Sequence, residues 1–297
     1  MSFKIDLSMT TDQLSRFHRQ MIEPEVASSL ATVRLGDLPL PLVHEAREQW
    51  AGRALASYYA MAQANDLSQR LITMGAPVEV FAGALQSLED SYRNMVICAE
   101  LSRRFENAEV RQVNPEHLVS FNQSGDPMMA IYKSALVNFG FNFTLSVPIF
   151  DALGTIATNE AISDVCLTMA ASLEEDAEYG WALLQWLGDH LSTEQKKQVR
   201  RELPRLMAVF EKRCFGGPET LDALAGTEIV VEQGSANLGT LTQTQHAAIF
   251  YHTITETIFP RLDQLGFDAS ACWREHYRLS SVSAEPGLGV VAIDIVS

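Results

Sequence analysis

From about position 41 to 277 apolar residues recur at every third or fourth position, and strand-like alternation is confined to the last residues, 288–296. Such a chain can bury its apolar surface only as packed helices. The first long stripe, after Pro41, is Val43, Ala46, Trp50, Ala54, Met61 and Ala64. Met74-Gly75-Ala76-Pro77 then places Gly past one helix end and Pro at the start of the next, the usual asymmetry of helix boundaries. The second stripe is Val80, Phe81, Ala84, Leu88, Tyr92, Met95, Val96 and Ala99. A polar connection, 114–127, is long enough to cross a bundle before a third helix over about 128–153, which Pro148 is expected to kink. A fourth helix over about 159–190 stacks Val165, Met169, Leu173, Asp176, Gly180, Leu184 and Leu187 on one face.

Flanking segments extend this core. Leu38-Pro39-Leu40-Pro41 forces an extended entry after a short helix over about 11–25. Ser192-Thr193-Glu194-Gln195 has the form of a capping box opening a fifth helix, which Gly216-Gly217-Pro218 breaks. A loop over 226–239, a last long helix over about 242–265 and a shorter one over about 268–277 complete the reading. No internal repeat or strong linker divides the chain. The expectation is one all-α domain over 1–297, with a core at about 41–190, additional helices at about 192–277 and a tail at 278–297.

Composition narrows the function classes. With 297 residues, 47% of them hydrophobic, the chain can bury a sizeable core. A net charge of -15 argues against nucleic acid as partner, because phosphate binding needs a concentrated basic surface. The run Lys196-Lys197-Gln198-Val199-Arg200-Arg201 sits beside Glu194 and Glu202 and reads as a solvated helix face. Cys98, Cys166, Cys214 and Cys272 form no Cys-x-x-Cys pair, so they suggest reduced thiols rather than zinc or disulfides. No signal-peptide pattern and no membrane span are recognised, and a cytoplasmic protein is expected.

The run Ser172-Leu173-Glu174-Glu175-Asp176-Ala177-Glu178-Tyr179-Gly180-Trp181 resembles the fourth-helix signature of ferritin-like carboxylate-bridged diiron proteins, approximately Asp-Glu-x-x-His-Ala-Glu-x-Gly-Trp. Trp50-Ala51-Gly52-Arg53-Ala54-Leu55-Ala56-Ser57 resembles the first-helix pattern of that family, and Glu89-Asp90-Ser91-Tyr92 falls where its second helix carries Glu-x-x-His. Phe143-Thr144-Leu145-Ser146-Val147-Pro148 is similar to its third helix, and the segment 257–266 to its C-terminal helix. The resemblance implies a ferritin-like four-helix bundle with additional N- and C-terminal helices. It also implies that Ser57, Tyr92, Phe143, Leu173 and Asp176 stand at metal-ligand positions, with Glu89 alone retained.

Replacing carboxylate and imidazole by Ser, Phe and Leu removes the donors that a dinuclear iron centre requires. Neither metal nor cofactor is therefore expected. On the aligned registers Glu89, Tyr92 and Asp176 form a catalytic group at the bundle centre, with a buried carboxyl moving a proton, and Ser57, Phe143 and Leu173 line a substrate pocket. The expected partner is an apolar small molecule, in a specialised biosynthetic setting; a homodimer is compatible with the apolar tail. Two other readings stay open: a non-catalytic interaction protein, and an oxygenase or oxidase with an atypical metal site. His44, His117, His190 and His276 fall near expected helix ends or loops and read as caps or surface groups.

Overall fold

The computed structural model describes residues 3–4, 16, 20–21, 30, 33, 38–105, 112–115, 118, 126–215 and 236–279. Most of the expected helix over 11–25, most of the crossing connection, the first part of the 226–239 loop and the tail from 280 on lie outside the described residues.

Helix α1 spans Leu40–Thr73 and α2 spans Val78–Arg104. The turn between them is a Schellman motif: the Ala76 amide donates to the Leu71 carbonyl, the Gly75 amide to that of Ile72, and Gly75 takes φ +75°. Helix α3, Pro127–Ile156, opens with Asp126 capping the Met128 amide and Pro127 in the first turn. Its middle departs from α geometry as a π-helical segment, Ala135–Phe143. The irregularity thus lies upstream of Pro148, which sits inside the regular stretch Thr144–Ile156. Helix α4, Glu160–His190, is capped by Asn159.

Helix α5 is Thr193–Phe215, and both hydrogen bonds of the Ser192–Gln195 capping box are present. Helix α6 runs over 243–264 as Gln243–Thr253, a π turn Ile254–Ile258, and Phe259–Gln264, opening with a second capping box at Thr242 and Gln245. Helix α7 is Ala269–Leu279. Two short strands, β1 (Phe3–Lys4) and β2 (Gln112–Val113), pair antiparallel with Phe3 opposite Val113, a pairing the sequence pattern does not announce. Among the described residues the fold is otherwise all-α.

Helix α1 packs along α2 and α3 along α4; α2 also meets α4, α1 meets α3, and α5 holds α7. Trp50, Tyr132, Phe105, Phe139, Phe141 and Phe210 are the largest fully buried side chains. Removing each from water stabilises the fold by about 1.5–3 kcal/mol. The α3–α4 approach depends on Gly180, where an added Cβ would stand 2.6 Å from the Phe139 Cβ. Contrary to the sequence expectation of no membrane span, α3 is long and apolar enough to cross a membrane by composition, but 72% of its most apolar window is buried inside the protein. That placement is the one a core helix occupies.

Candidate functional site

A cavity of about 50 Å³ opens between α1, α2, α3 and α4. Arg53 and Ser57 line it from α1, Ser91 and Asn94 from α2, Asn138, Asn142 and Phe143 from α3, and Met169 and Leu173 from α4. Asn138, Phe139, Asn142 and Phe143 of the π segment, at i,i+4 spacing, and Ser146 and Phe150 of the regular stretch beyond it all line the cavity; single π turns inside α-helices recur at functional sites. The wall is largely apolar, set with hydroxyls and carboxamides, and Arg53 is its charged member.

Arg53 is 5% exposed. Its guanidinium donates through Nη1 to the Gly239 carbonyl (2.8 Å) and through Nη2 to Gln49 Oε1 (3.0 Å), and lies 4.5 Å from the centre of the Trp50 ring. Trp50 Nε1 donates to the Leu238 carbonyl at 2.9 Å, while Gln49 exchanges bonds with the amide and carbonyl of Leu241. The Trp50 and Arg53 pair of the first helix therefore clamps the 238–241 loop. Gly239 fits because it adopts φ +76° and has no Cβ, which would stand 2.7 Å from Trp50 Cζ2. Burial pulls the Arg53 pKa below its ordinary value; the nearby thiols of Cys98 and Cys166 are pushed up by burial, Cys166 to about 12, and stay neutral. His246, also buried, is lowered to about 4 by desolvation and then by the Arg53 charge; its Nδ1 donates to the Thr242 carbonyl and its Nε2 has no partner.

Of the residues expected to converge, Ser57, Phe143 and Leu173 do line the cavity. Glu89 does not: it is exposed on the outer face of α2, 3.4 Å from Arg93. The buried face of α2 carries Ala84, Ser87, Ser91 and Asn94, and Glu89, two positions from both Ser87 and Ser91, is turned about 200° from each. Tyr92 is half-buried in a smaller cluster with Tyr59, Met95, Val96 and Val113. Asp176 is buried between α4 and α2, where it accepts from Ser87 at 2.5 Å. Its other oxygen has no partner, and desolvation raises its pKa to about 7. It is not among the cavity-lining residues. Its acidic neighbours Glu174, Glu175 and Glu178 are exposed, as a solvated face requires.

Ser91, Asn94, Asn138 and Asn142 were the positions sequence reasoning missed. A search for apolar stripes follows Leu88 and Tyr92, which are only partly buried, and passes over a small, polar inward face. His276 is likewise no surface group: it is fully buried, with Nε2 2.9 Å from Glu211 Oε2, while Tyr251 donates to Glu211 Oε1 at 2.7 Å.

The diiron centre that the first-helix and fourth-helix patterns imply does not fit these residues. Among the described residues no carboxylate or imidazole lines the cavity, and no three His, Cys, Asp or Glu side chains are grouped to hold a metal ion. No protein-family model matches the chain, and no curated protein or solved structure is significantly similar to it.

Proposed function

We propose that the chain is a ferritin-like four-helix bundle protein whose central cavity binds a small, mainly apolar molecule without metal. The observation that carries this reading is the cavity between α1, α2, α3 and α4, lined by Ser57, Phe143 and Leu173 at the positions where the family resemblance expects metal ligands. Its apolar wall supplies contact area, and the hydroxyls and carboxamides supply the few directional bonds that fix a ligand's orientation. Among the described residues the lining holds no carboxyl or imidazole to exchange protons near neutral pH, so binding and orienting come before any reaction. A place in specialised metabolite biosynthesis is carried by the resemblance alone.

Calorimetric titration with hexanol tests the proposal. The wild-type chain should bind hexanol, and Ala60→Leu, which adds side-chain volume at Ala60 of the cavity wall on α1, should abolish that binding while thermal unfolding stays cooperative. Equal binding by both proteins contradicts the assignment.

A further inference from the structure

We infer that the ligand of this cavity carries an anionic group, a carboxylate or its equivalent, that pairs with Arg53. The inference rests on the cavity reading above and specifies what fills it.

Arg53 is a cation held almost wholly out of water, yet its partners are a backbone carbonyl, a carboxamide and an indole face, all neutral. Taking a guanidinium from water is costly unless an opposite charge meets it, and natural buried charges are usually paired. Among the described residues no carboxylate contacts Arg53. The two bonds to Gly239 and Gln49 leave donors of the planar fork unused, and that fork matches the two oxygens of a carboxylate. A role limited to clamping the loop does not call for a charge: the Gly239 carbonyl and Gln49 carboxamide accept equally from a neutral donor. The cavity lining repeats the preference, since its other polar groups are neutral hydroxyls and carboxamides: Ser57, Gln63, Ser91, Asn94, Asn138, Asn142 and Ser146. An anion would enter without meeting a lining carboxylate, in a protein whose net charge is -15.

Titration of the full chain at pH 7 with hexanoate, hexanol and hexylamine reads the inference without altering the protein. Hexanoate should bind about tenfold or more tightly than hexanol, as a charge-assisted bond adds, and hexylamine should not bind. Arg53→Gln, which keeps a donor for the Gly239 carbonyl, should bring hexanoate down to the level of hexanol. Arg53→Lys should keep part of the preference. If hexanol binds as tightly as hexanoate and Ala60→Leu abolishes both, the anionic ligand is overturned and the cavity reading stands. If none of the three binds, both are overturned.

Discussion

Asp176 shows how far one residue's surroundings can be read from a sequence. The stripe from Val165 to Leu187 singled it out as the one acid on a buried face, and it is buried. What spacing could not give is its partner, Ser87 on the neighbouring helix, or its separation from the cavity. Its raised pKa has a definite sign. The folded protein holds the proton more tightly than the unfolded chain, so the stability it contributes is greatest below its ordinary 3.8 and declines as pH rises towards about 7. Asp176→Asn should remove that slope. Urea unfolding at pH 5 and pH 8 should show the variant gaining relative to wild type at the higher pH, by on the order of 2–4 kcal/mol at most. Identical pH slopes in the two proteins would refute the assignment.

At the scale of elements, helix ends were legible because Gly, Pro and capping residues act locally. The Met74–Pro77 turn, the Ser192–Gln195 box and Gly266 all fall where the sequence pattern places them. The π segment of α3 was not legible: it packs against α4, and Ala135–Phe143 carries no residue that forbids an ordinary helix. Two glycines separate backbone strain from crowding. Gly75→Ala meets open space and should cost only the left-handed backbone penalty, about 1–2 kcal/mol. Gly239→Ala meets Trp50 as well, and should cost at least about 1–3 kcal/mol more by chemical denaturation. Equal losses would mean that the Trp50 and Arg53 clamp does not hold the loop. The Glu211, His276 and Tyr251 cluster ties α7 to α5 and α6. Glu211→Ala, which takes the carboxylate away from His276 Nε2 and the Tyr251 hydroxyl, should destabilise by about 1–3 kcal/mol and expose α7 amides to hydrogen exchange.

For the whole molecule, hydrophobic period alone was enough for an all-α architecture, because the buried faces of α1 and α4 are mainly apolar, with Arg53, Gln63 and Ser68 on the one and Asp176 on the other as the polar members. The cavity was legible from those same two helices and from Phe143. It was hidden on α2, whose inward face of Ala84, Ser87, Ser91 and Asn94 mimics a solvated surface. A core helix can present such a face only if something polar lies opposite, and here Asn138 and Asn142 of α3 line the same space. The central claim is that this space holds an organic ligand. Difference electron density from crystals of the full chain grown with hexanol and ferrous iron tests it most directly. The account predicts elongated density between Ser57, Asn94, Asn142 and Leu173; two metal ions there, or hexanol bound elsewhere with no density in the cavity, would contradict it.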